Sequence, residues 1–278
     1  MNQNTLIAIR KVEKFAVAAG TAIRYNDSLK GDKTVVLLHG YLENLDVWEE
    51  WSKMLAKHCR VISLDLPGHG ISEIKGEIHT MEFLAETAHG LLESLGVERY
   101  AVIGHSMGGY VAMEMMKKWP SAISGAIFLH SHPFGDTPQR AEDRMREIEL
   151  IRSGRKEVLV KMNPQRRFAA ENCKRLASVI DELKEMAFLT EDEGILAILR
   201  GISQRGNYVE MMSKTEIPTL FVFGSGDLMI PQEACEEVAK QFPAAQVVVL
   251  DSCGHMSFIE QPEKTLEIVT QFCDKLNF

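Results

Sequence analysis

The chain has 278 residues, with 31 Lys and Arg against 39 Asp and Glu for a net charge of −8, and 45% of it is hydrophobic. This is the make-up of a soluble globular protein, long enough for one α/β domain with an insertion and for a core that needs no disulfide or metal staple. The acidic balance argues against a nucleic-acid or anionic-membrane partner, because phosphate binding needs concentrated Lys and Arg.

The first 27 residues are irregular and leave room for one or two antiparallel edge strands. They lack a signal-like core, since Arg10, Lys11 and Glu13 interrupt the apolar residues there. Continuous runs rich in Val, Ile and Leu then recur at 34–38, 60–64, 100–104, 125–130, 219–223 and 246–250, as strands covered on both faces do. Helix-like stretches at 46–57, 81–95, 108–118, 232–241 and 262–276 fall between or after them. Strand alternating with helix predicts an α/β fold: a mostly parallel sheet of about eight strands with helices on both faces. No apolar run approaches the roughly 18 residues of a spanning helix.

One interval breaks the rhythm. From Pro133 to Ile217 the only strand-like run is the weak one at Glu157 to Val160, and helices are expected at 140–152, 165–186 and 191–200. Residues 134–214 carry 15 basic and 14 acidic side chains, a net of +1 against −9 for the remainder. The expected organisation is therefore a core of 1–133 and 215–278, with 134–214 inserted as a helical lid. The five cysteines, at 59, 173, 235, 253 and 273, are scattered and form no CxxC pair, which fits a reducing, cytoplasmic setting.

The most informative stretch is Tyr100 to Gly109, where a buried strand runs into Gly104-His105-Ser106-Met107-Gly108 and a helix follows at once. A sharp strand-to-helix turn needs small residues two positions either side of its serine, and it points that serine at a helix N-terminus. A nucleophilic serine requires a base, and the base requires an orienting acid. His255 follows the last strand and Asp227 follows the strand at 219–223, at the same sheet edge as Ser106 and in the order Ser, Asp, His. Asp251 is a rival acid, placed at the strand end itself. The Met107 amide, next after the nucleophile, is one oxyanion donor.

Taken together, His39-Gly40, the run Asp65 to Ser72, the Ser106 turn, Gly224 to Pro231 and Gly254-His255 resemble the α/β-hydrolase fold family, in its helical-lid branch of esterases and lactonases. The resemblance implies Ser106 as nucleophile, Asp227 as acid and His255 as base, with the Tyr41 amide as the second oxyanion donor. It also implies no cofactor and no metal. The expected activity is cleavage of a small or medium carboxylic ester through an acyl-enzyme, with enol-lactone, thioester or C–C bond cleavage as alternatives on the same three residues. A non-catalytic binding protein on a hydrolase fold is the alternative of another class.

Other residues are set against simpler roles. His39 and His69 are expected to hold loops, and His105 lies on the wrong side of the turn to be the base. His130 and His132 are candidates for pocket lining or hydrogen bonding. They lack a grouped carboxylate or thiolate in sequence, which argues against a metal. Cys253 is expected in the core. Lys117-Lys118 suits a helix C-terminus. Arg140, Arg166 and Arg167 are assigned to a solvated helical face, an anionic substrate being the sharper reading.

Overall fold

The computed structural model describes residues 13–162 and 165–278, with side chains except that of Met162. The reading of the N-terminus as lacking a signal core falls almost wholly on residues outside these. Eight strands form one sheet: β1 (Lys14–Ala18), β2 (Thr21–Asp27), β3 (Thr34–Leu38), β4 (Arg60–Leu64), β5 (Tyr100–His105), β6 (Ile123–Leu129), β7 (Thr219–Gly224) and β8 (Gln246–Leu250). Their spatial order is β1-β2-β4-β3-β5-β6-β7-β8. β2 runs antiparallel to β1 and to β4, and every other pairing is parallel. The eight-stranded, mostly parallel α/β architecture is thus the one expected. β3, β5, β6 and β7 are buried along their whole length, which explains their unbroken apolar runs. β8, at the edge, is buried only at Leu250.

The helices are α1 (Glu49–Leu55), α2 (Met81–Ser94), α3 (Met107–Lys118), α4 (Pro138–Arg152), α5 (Lys156–Met162), α6 (Ala177–Leu189), α7 (Asp192–Ser203), α8 (Val209–Lys214), α9 (Gln232–Gln241), α10 (Ser257–Glu260) and α11 (Pro262–Cys273). Thr80 starts α2 by accepting the Phe83 N–H, and Thr137 starts α4 by accepting that of Arg140, with Pro138 at the first helical position. One face of the sheet packs Leu84 and Leu91 of α2, Val111 and Met115 of α3 and Val238 of α9. The other packs Trp48, Trp51 and Leu55 around α1 with Val269 and Phe272 of α11. None of the helices among the described residues is long and apolar enough to cross a membrane.

The five helices between β6 and β7 differ from expectation in three places. Glu157 to Val160 lies in α5 and is not a strand. The single helix expected over 165–186 is a short 3₁₀ turn at Gln165–Arg167, an irregular stretch and then α6. The cause is local: the Arg167 carbonyl accepts the His255 N–H at 2.6 Å and the Ala169 N–H donates to Glu260 Oε2 at 3.0 Å, so these backbone groups bond to the core and not along a helix. Last, α8 was not signalled by the sequence pattern.

Candidate active site

The turn after β5 carries Ser106 at φ 50°, ψ −114°, the left-handed region that a side-chain-bearing residue enters only under constraint. Close packing imposes it. A Cβ on Gly104 would sit 2.4 Å from the Gly108 carbonyl oxygen, and one on Gly108 would sit 2.2 Å from the Leu38 carbonyl oxygen, so both positions require glycine. The Ser106 N–H donates to the Leu129 carbonyl at 2.9 Å, tying the turn to β6. Met107 opens α3, where a backbone amide has no partner within the helix. The Ser106 hydroxyl is half-buried and makes no hydrogen bond to His255 among the described residues. Such contacts are often long in a free enzyme and tighten with substrate.

Asp227 and His255 meet directly. The His255 Nδ1–H donates to Asp227 Oδ2 at 2.7 Å, which leaves Nε2 as the basic nitrogen. The His130 Nδ1–H donates to the same oxygen at 3.2 Å, while its Nε2 accepts the Ser257 N–H at 3.1 Å. Asp227 Oδ1 accepts the amides of Met229 and Ile230 at 2.7 and 3.1 Å. Burial opposes ionisation of Asp227, but electrostatic attraction to the His255 imidazole and the hydrogen bonds from His130 and His255 hold its pKa well below the usual carboxylate range. Burial also pushes the His255 imidazole down to about 4, against the pull of Asp227 and with help from His105 and His130. A charged carboxylate therefore faces a neutral ring.

Of the two roles open to His130, the structure shows hydrogen bonding and not pocket lining. The residue is fully buried, both its ring nitrogens are occupied, and it braces Asp227. His132 is half-buried against Tyr110 and Phe134, with burial pushing its pKa to about 4 and its Nδ1 unpaired. Ligand atoms of His130, Asp227 and His255 lie within 4.8 Å of one another, so a carboxylate is grouped here after all. Because Nε2 of His130 takes an N–H, its proton sits on Nδ1, the atom turned to Asp227. Hydrogen bonding accounts for the cluster without coordination.

A second network, missed by the sequence reading, surrounds the first. Glu43 is buried in the loop after β3; its Oε2 accepts the Gly40 N–H at 2.7 Å and faces His105 Nδ1 at 3.0 Å. His105 Nε2 faces the His255 carbonyl at 2.8 Å, so both bonds form only when the ring carries two protons. Arg167 closes the circuit: Nη1 donates to Glu43 Oε1 at 2.7 Å and Nη2 to the Tyr41 carbonyl at 2.6 Å. Burial would raise the Glu43 pKa, but His105, Arg167 and the Gly40 amide hold it well below the usual range. Arg167 was assigned to a solvated face; it is buried and spans from the helical segment to the residues flanking the expected oxyanion amide.

The remaining candidates take no part in the Asp227–His255 hydrogen bonding. His39 accepts the Leu66 N–H through Nε2 and turns Nδ1 to the Gly40 carbonyl, and His69 packs against it, so both hold loops. Cys253 is buried and its thiol pKa is raised by burial, which disfavours a thiolate. Asp251 is exposed and has no bond to His255 among the described residues. Lys117 and Lys118 pair with glutamates on α3 and α2.

Residues 35–268 match the model of the Alpha/beta hydrolase family. The chain is 28% identical to the pimeloyl-[acyl-carrier protein] methyl ester esterase of Yersinia enterocolitica, over 89% of this chain and 96% of that protein. It is 25% identical to a monoacylglycerol lipase of Rattus norvegicus, over 86% of this chain and 74% of that protein. Among solved structures, a thermophilic esterase from Thermogutta terrifontis superposes with a TM-score of 0.89 at 26% identity, covering 95% of this chain and 99% of the other. The enol-lactonase of Burkholderia xenovorans gives 0.86 at 23% identity, covering 94% and 100%, which speaks for the fold alone.

Proposed function

The chain belongs to the alpha/beta hydrolase family, and on that footing we propose that it is a serine hydrolase of carboxylic esters, working through an acyl-enzyme on Ser106. The observation that carries this reading is the Asp227–His255 hydrogen bond, in a loop whose backbone is bridged by His105 to the turn holding Ser106. Ser106 attacks the acyl carbon while His255 Nε2 takes its proton. That proton then passes to the departing alkoxide, and water, deprotonated by the same nitrogen, releases the acid. Asp227 keeps the proton of His255 on Nδ1 and stabilises the imidazolium as it forms.

The amides of Met107 and Tyr41 are assigned to the oxyanion, each contributing about 3 kcal/mol in a site that excludes water. Residues 134–214 are read as a lid over this edge of the sheet. Five free cysteines fit a reducing compartment, and hence the cytoplasm. The substrate is a small molecule and the chemistry draws on no cofactor.

The test is covalent labelling by a fluorophosphonate together with burst release of 4-nitrophenol from 4-nitrophenyl acetate. The wild-type protein gives both and Ser106→Ala gives neither. Labelling that survives in Ser106→Ala, or a folded wild-type protein that never labels, rules this function out.

A further inference from the structure

Beneath the helical segment, a cavity of about 140 Å³ is lined by Arg140, Glu147, Leu150, Leu159, Arg166 and Met229 among others. Two of its lining residues interact with residues assigned to catalysis. The Met229 amide is bonded to Asp227, and the Tyr41 side chain, whose own amide is assigned to the oxyanion, reaches towards Glu147. We propose that the substrate ester carries an anionic group, a carboxylate, and that Arg140 and Arg166 receive it in this cavity. The proposal rests on the catalytic reading of Ser106, Asp227 and His255.

Charge is the first support. Asp136 attracts Arg140, but its oxygens are taken by Arg144, at 2.5 and 3.1 Å, and by Arg205 at 2.7 Å. Arg140 feels Asp136 and Glu147 without hydrogen-bonding either, and neither its guanidinium nor that of Arg166 has a hydrogen bond or ion pair among the described residues. The one acid on the wall, Glu147, has its pKa raised by burial, with Arg140 and Arg144 pulling the other way. Two guanidiniums and one weakened carboxyl thus line the cavity, in a chain whose net charge is −8. Arginine is the side chain best shaped to grip a carboxylate through paired N–H donors.

Size is the second support. The volume is that of about four or five waters, enough for a short chain ending in a carboxylate but not for a long acyl tail.

The experiment compares matched esters. For an acid on the acyl side, 4-nitrophenyl hydrogen glutarate is set against 4-nitrophenyl valerate; for an acid on the alcohol side, 4-acetoxybenzoate is set against phenyl acetate. One pair is expected to favour the anion by at least about tenfold in kcat/KM, through KM, with the preference shrinking as salt is added. Arg140→Gln and Arg166→Gln should each cut that ratio about tenfold, both proteins still being labelled by the fluorophosphonate. Ratios at or below one for both pairs, or a ratio untouched by either variant, overturn the proposal while leaving the hydrolase reading intact. Absence of any Ser106-dependent turnover or labelling is the separate failure of that reading.

Discussion

The C-terminal edge of the sheet and the helical segment at 134–214 hold their functional groups in different ways. At the sheet edge, position is set by backbone: β5, β7 and β8 run parallel, so the residues after each emerge on one side, and steric contact around Gly104 and Gly108 dictates the turn at Ser106. The helical segment has a small apolar cluster of its own, including Ile148, Ile151, Leu159 and Leu199, closed against Leu42 from the loop after β3. Its grip on the site is made by side chains and irregular backbone: Arg167 on Glu43 and Tyr41, and residues 167–169 against the loop of His255. Chemistry is therefore assembled by local rules at the sheet edge, and its precision is imposed across long stretches of chain by the segment above.

The largest test of that division falls on the sheet edge. Asp227→Asn keeps the shape but removes the acceptor for two imidazole N–H groups, and kcat should fall by about 10⁴ with little change in KM, as when a triad acid is neutralised. Next is the joint between the regions. Arg167→Met strands Glu43 without one of its partners, which should lower stability by about 3–5 kcal/mol in denaturant unfolding. Because it also frees the loop whose Tyr41 amide is proposed to hold the oxyanion, kcat should drop by about 10- to 100-fold, with labelling by fluorophosphonate slowed to match. A coupling energy near zero in a double-mutant cycle between Arg167→Met and Glu43→Gln would show that the two regions are energetically independent.

The same division explains what could be read in the sequence. Fold and strand order of the reacting groups were legible because they depend on signals a few residues long: continuous apolar runs, the Gly-x-Ser-x-Gly spacing, and an acid and a histidine just past strand ends. Glu43 and Arg167 are 124 positions apart, and nothing local to either signals the pair. Arg167 follows Arg166 and looks like part of an exposed basic patch; only the close approach of residues 167–169 to Gly254 buries it. For His130 the sequence leaves pocket lining and hydrogen bonding both open, for a related reason. Its partner, Asp227, lies 97 residues away, and a histidine at a strand end reads equally well as a pocket wall. The break in the helix expected over 165–186 has the same origin, since its backbone bonds to the His255 loop.

The smallest effect concerns the base itself and asks which region sets its pKa. In the proposed mechanism His255 must be unprotonated at Nε2 to accept the Ser106 proton, so activity is lost as pH falls through its pKa. Burial lowers that pKa to about 4, and the helical segment holds the backbone of this loop through the Arg167 carbonyl and the close approach of residues 167–169 to Gly254. In the wild-type protein, kcat/KM should stay level from neutral pH through the ordinary imidazole range near 6.5 and fall tenfold per pH unit only below about 4. Loosening the segment with Arg167→Met admits water to the ring, so the acid limb should move up towards 6.5. At pH 7 the shift alters the fraction of active base by less than about twofold, and it emerges only in the full profile. If the limb stays near 4 in that variant although kcat falls, the sheet edge alone holds the base neutral, and the helical segment acts on the oxyanion loop alone.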